Sequence, residues 1–148
     1  MHVDGCSRIT NVSFMRNLKI LHASSICNID QNGIRGLDLY ELSANSKITD
    51  VSFMKHLKTL YAPSDCGIDQ KGLLLLDLIV LNVGWNPKIT DVSFMHNLKI
   101  LCAQGDCGID QLGIRGLDLI ELDIKSNKKI TNTSFMKNLK ILNGEVFI

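Results

Sequence analysis

I-T-D-V-S-F-M occupies residues 48–54 and returns letter for letter at 89–95. Near-copies flank that pair, I-T-N-V-S-F-M at 9–15 and I-T-N-T-S-F-M at 130–136. The four copies start at Ile9, Ile48, Ile89 and Ile130, a spacing of 39, 41 and 41 residues. A fixed period of this length marks a stacked array, in which each unit buries its apolar face against its neighbours.

Each period divides again. Leu57, Leu60 and Ala62 lead to Cys66, and then Leu78, Leu81 and Val83 lead to Asn86. The cysteine kind recurs at 18–27, 57–66 and 98–107, the asparagine kind at 78–86 and 119–127. The true unit is therefore about 20 residues long, and two versions of it alternate. In I-L-H-A-S, residues 20–24, Leu21 and Ala23 point one way while Ile20, His22 and Ser24 point the other. That alternation is a strand signal. Strands recurring at this interval with a compact return pair in parallel. Ser-Phe-Met-x-x-Leu leaves room for one or two helical turns in the return. The segment 30–36 around Gly33 suits a 3₁₀ or irregular turn.

These units resemble the leucine-rich repeat. The asparagine kind, L-x-x-L-x-L-x-x-N-x-x-I-T-D-V-S-F-M-x-N-L at 78–98, is similar to bacterial internalin repeats. The cysteine kind, C-G-I-D-Q-x-G-I, is similar to the cysteine-containing repeats of F-box substrate receptors. The mixture resembles leucine-rich repeat proteins of giant amoebal viruses. The resemblance implies an α/β solenoid over 1–148 as a single domain. About seven parallel strands would line its concave face, with short helical or 3₁₀ returns on the convex one. It also implies a protein–protein interaction scaffold, binding a host or virion protein if viral. Two alternatives stand beside it: a substrate-recognition subunit for ubiquitin ligation, and a structural assembly element. No segment is left over for an F-box.

Composition narrows the function classes. Sixteen basic against fifteen acidic residues give a net charge of +1, which lacks the basic face of a nucleic-acid module. With 5% aromatic residues there is little to stack bases on. The most apolar run, 72–83, contains Asp77 and is too short for a membrane span. Five cysteines, three of them repeat-equivalent, suit a reducing intracellular setting.

The repeated residues read as scaffold. Cys6, Cys27, Asn45, Cys66, Asn86, Cys107 and Asn127 form one column, neighbours about 4.8 Å apart. Asn can donate and accept at once between coils, and Cys fills the same small space. Cys27, Cys66 and Cys107 fall about 9–10 Å apart, too far for a disulfide or a shared metal, whereas Cys6 and Cys27 occupy adjacent coils. Met15, Met54, Met95 and Met136 read as core, and Phe14, Phe53, Phe94 and Phe135 as packing along the convex flank. Asp30, Asp69 and Asp110 suit turn caps. Lys19, Lys58, Lys99 and Lys140 read as screened surface charge. The unit at 39–48 is two residues shorter than its counterpart at 119–130, which calls for a tightened turn or a bulge.

Specificity then belongs to outward positions that break the repeat. One such column holds Ile20, Glu41, Thr59, Val80, Ile100, Glu121 and Ile141. The next holds His22, Ser43, Tyr61, Asn82, Cys102, Asp123 and Asn143. Tyr61, Val80, Trp85, Ile100 and Cys102 form the candidate partner-binding cluster, with Cys102 the most exposed thiol. No nucleophile–base arrangement or metal spacing recurs around the histidines, so neither catalysis, a cofactor nor a metal is expected. The first unit is incomplete, and the last strand is followed only by Val146-Phe147-Ile148. Without dedicated caps, open ends predict self-association.

Overall fold

The computed structural model describes residues 1–5, 7–24 and 26–146. Cys6, and with it the first rung of the expected column and the Cys6–Cys27 pair, lies outside the described residues, as do Ser25 and Phe147-Ile148.

The chain winds into a parallel β-solenoid. Seven short strands follow one another: β1 (Ile20–His22), β2 (Glu41–Ser43), β3 (Thr59–Tyr61), β4 (Val80–Asn82), β5 (Ile100–Cys102), β6 (Glu121–Asp123) and β7 (Ile141–Leu142). Each pairs in parallel with the next in sequence, so seven strands make six turns of the coil. An eighth strand, β8 (Glu145–Val146), folds back antiparallel on β7. Register follows the leucines. Leu21, Leu42, Leu60, Leu81, Leu101 and Leu122 stack partner on partner and are fully buried. Burying a leucine contributes about 1.5–3 kcal/mol, so this one column is a large part of the core. Ile9, Met15, Leu18, Leu139 and Leu142 are only partly buried, because an end coil has a neighbour on one side.

The returns are less helical than expected. Only two single-turn 3₁₀ helices, Asn32–Ile34 and Lys71–Leu73, occur among the described residues. The Ser-Phe-Met segments form successive tight turns instead: Met54 N–H donates to Val51 O at 2.9 Å and Leu57 N–H to Met54 O at 3.1 Å. The helical part of the α/β expectation thus shrinks to two turns. Coils about 20 residues long spend their length on strand, ladder and two corners, and none remains for a helix. No helix of the described residues is long and apolar enough to cross a membrane.

Hydrogen bonds between coils explain the repeated letters. Asn86 Nδ2 donates to Ala62 O (2.9 Å) and Ile68 O (3.3 Å) of the preceding coil, while its Oδ1 accepts from Lys88 N–H (3.0 Å). Asn127 repeats this with Ala103 O, Ile109 O and Lys129 N–H. Cys27, Cys66 and Cys107 are buried in the same column. In I-T-D-V-S, Asp50 Oδ1 accepts from Ser52 N–H (2.9 Å) and Oγ (2.7 Å), a local turn that Asn132 and Ser134 reproduce. Asp30, Asp69 and Asp110 cap the return turns through the N–H groups of Gly33, Gly72 and Gly113.

Gln31, Gln70 and Gln111 form a column that inspection of the sequence missed. Gln70 Oε1 accepts from Thr90 N–H and Asp91 N–H at 2.9 Å each, and its Nε2 donates to Asp91 O at 2.7 Å. One amide thereby clips each return to the next coil. Glycine is required beside it: a Cβ on Gly113 would lie 2.2 Å from Thr90 O.

Met54, Met95 and Met136 are core as expected, and Phe94 packs against the core, but the other three phenylalanines do not follow the expected flank packing. Phe14 is 74% exposed, and Phe53 and Phe135 also lie at the surface. Their corner position turns the ring away from the coil interior. The basic column is not merely solvated either, since Lys58 Nζ donates to Asp77 O at 2.8 Å and Asp77 Oδ2 at 2.9 Å.

Candidate functional site

The outward columns fall where the sequence placed them. Thr59, Val80, Ile100 and Glu121 are successive register partners across β3 to β6, and so are Tyr61, Asn82, Cys102 and Asp123. Val80 and Ile100 are therefore a direct cross-strand apolar pair, while Tyr61 and Cys102 are separated by Asn82. All four candidate residues on the strands are half-buried in their neighbours. Acidic side chains border this patch through Glu121 and Asp123 on β6.

Cys102 is the most exposed of the described cysteines. It is not activated. Burial pushes its thiol above the ordinary range, and nearby Asp123 and Glu121 push in the same direction.

Trp85 differs from the other four. It sits three residues past β4 with φ +64° and is 52% exposed. Its N–H donates to Gln104 O at 2.9 Å. Its ring lies flat against the next coil, where a Cβ on Gly105 would meet the ring at 2.4 Å. Among the described residues, Gly5, Ser64, Gly105 and Ser126 hold the equivalent strand-to-ladder position and take this left-handed conformation, with φ between +52° and +74°. Glycine adopts it without strain, any residue with a Cβ is strained there, and a bulky one is an outlier.

The shortened unit at 39–48 lacks such a turn. Ala44 runs straight into Asn45, whose Nδ2 donates to Cys27 O (3.3 Å) and Ile29 O (3.0 Å). The turn is tightened without a bulge, because the Leu42–Leu60 register continues. The missing residues leave a rim cleft of about 440 Å³ between Ser24, Ile26, Ser46 and Asp65.

Two further clefts lie on the corner flank. A cleft of about 500 Å³ is lined by Gln31, Arg35, Gly36 and Phe53, and its repeat counterpart of about 440 Å³ by Gln111, Arg115, Gly116 and Phe135. None of the five candidate residues lines either one.

One constellation went unread in the sequence. His2 bridges to His22 in parallel, their ring centroids 4.2 Å apart, and Asp4 lies beside them. The signal was present: aligning Val3 with Val83 puts His2 in the same outward column as His22.

Compared with models of known protein families, the chain matches none, and no curated protein matches it.

Proposed function

We propose that this solenoid is a leucine-rich repeat protein whose outward sheet face binds another protein, with Trp85 as the anchor. The observation that carries the reading is the conformation of Trp85. A serine or glycine makes the same turn at Gly5, Ser64, Gly105 and Ser126, so the scaffold has no need of an indole there. The left-handed backbone costs about 1–2 kcal/mol for any residue with a Cβ, serine included, so what sets Trp85 apart is a large side chain left half exposed at that turn. A half-exposed aromatic at the rim of a sheet face that carries an apolar cross-strand pair is how binding anchors are built. The reading is of a binding module without catalysis of its own. The alternating repeat types support giant amoebal virus proteins as its relatives, and so a host or virion protein as the partner.

Affinity capture tests this with wild type against the Tyr61/Trp85/Ile100 triple-Ala variant. Trp85→Ser is the cleaner single change, since serine already occupies the equivalent turn at Ser64 and Ser126. A hot-spot loss of about 2 kcal/mol corresponds to roughly thirty-fold weaker binding. Identical partner recovery by all three proteins would overturn the reading.

A further inference from the structure

We propose that His2, Asp4 and His22 form a binding site for a divalent transition-metal ion of the zinc type, with Glu41 positioning His22. The ligand atoms of the three residues all lie within 4.8 Å of one another. Ligand atoms around tetrahedral zinc stand about 3.3–3.5 Å apart, given bonds of about 2.0–2.1 Å. Small side-chain rotations at the surface close the difference.

The backbone holds the site in place. Val3 N–H donates to His22 O at 2.9 Å and His22 N–H to Met1 O at 2.8 Å, which sets His2 directly across from His22. Asp4 opens the turn two residues past His2, and its carboxylate reaches across to the neighbouring coil. One of its oxygens, Oδ1, accepts from Ser24 N–H at 2.9 Å and Ser24 Oγ at 2.7 Å, which orients the carboxylate and leaves Oδ2 as a ligand. His22 Nε2 lies 3.0 Å from Glu41 Oε1. A carboxylate on the far nitrogen of a ligating histidine sets its tautomer and strengthens it as a donor, and Nδ1 is then the ligating atom.

Two imidazoles and a carboxylate suit zinc, copper(II) or nickel(II) and not calcium or magnesium, which take all-oxygen shells. A fourth position stays open to water. The scaffold does not require imidazoles here: later strands carry Ser43, Tyr61, Asn82 and Cys102 in the same column. The site lies at the first strand, away from the Val80–Ile100 pair, and does not depend on the partner-binding reading.

Titration calorimetry of tag-free protein with zinc chloride, cysteines kept reduced, provides the test. One ion per chain is expected, with at least a hundred-fold loss of affinity in His22→Ala and in His2→Ala. Glu41→Gln keeps the stoichiometry and weakens binding about ten- to a hundred-fold. His2 is exposed, so its alanine variant folds even if His22→Ala does not, and circular dichroism verifies this. Copper(II) at the site shows hyperfine coupling to two imidazole nitrogens by electron paramagnetic resonance. Unchanged affinity in His2→Ala, loss of binding in a Cys102→Ser control, or no binding at micromolar zinc overturns the proposal.

Discussion

The ladder side and the sheet face of this solenoid are built from the same coils by opposite rules. On the ladder side, Asn86 and Asn127 make the same hydrogen bonds one period apart, as Gln31, Gln70 and Gln111 do, and Asn45 departs by taking the Cys27 carbonyl in its shortened unit. On the sheet face, register partners differ at nearly every rung: Thr59, Val80, Ile100, Glu121. A residue that satisfies a neighbouring coil's backbone is held by geometry. A residue that only stands beside its neighbour is free to vary. Repetition in this chain therefore measures coupling between coils.

The sharpest way to break the comparison is to damage the interior. Met54→Ala, which empties a fully buried site, is expected to destabilise by about 2–5 kcal/mol in chemical denaturation. Next comes Asn86→Ala. It strands the carbonyls of Ala62 and Ile68 in a buried setting and should cost about 2–4 kcal/mol. If Asn86→Ala proved as mild as a surface change, the coupling account of the ladder would be wrong.

A gain of stability is expected from Leu75→Gly. Leu75 is 90% exposed at φ +72°, where the equivalent coils place Gly36 and Gly116. Relieving the left-handed strain should contribute about 1 kcal/mol, read as a raised melting temperature. No contact of Leu75 explains why leucine stands there.

A smaller effect is expected from pH. Hydrogen bonds from Lys58 and Asn97 hold the Asp77 carboxyl below its ordinary 3.8. The folded value is thus lower than the unfolded one, so the stabilisation is full above about pH 4 and is lost as pH falls through the folded value. Asp38, bonded to His56, and Asp118, bonded to Asn138, shift the same way. All three are solvent-exposed, so screening keeps the effect modest. Melting temperature should decline below pH 4, and less so in Asp77→Asn. Smallest of all, Ile100→Thr on the sheet face should change stability by no more than about 0.5 kcal/mol.

Much of the scaffold was legible before any coordinates. Leucine spacing placed all seven parallel strands, and the equivalence of Cys66 and Asn86 placed the ladder, because period-two alternation and a fixed repeat leave one register that buries the central leucine of each strand from β1 to β6. The corners were not legible. Phe53 looked like packing because it repeats, yet which way a corner residue turns depends on φ and ψ over a few residues. The Gln70 clip was visible as a repeat, since Gln31, Gln70 and Gln111 recur with the period, but which backbone groups of the next coil that amide reaches is set only by the folded corner.

The sequence by itself determined that the chain stacks in parallel coils of about 20 residues, since no other arrangement satisfies both the period and the alternation. Tertiary structure alone decided that Trp85 lies open on Gly105, that the deletion at 44–45 leaves a cleft, and that His2 meets His22. These depend on which residues of different coils come within a few ångströms. Hydrophobic period sets which face is buried, and not what stands next to what on the face left outside.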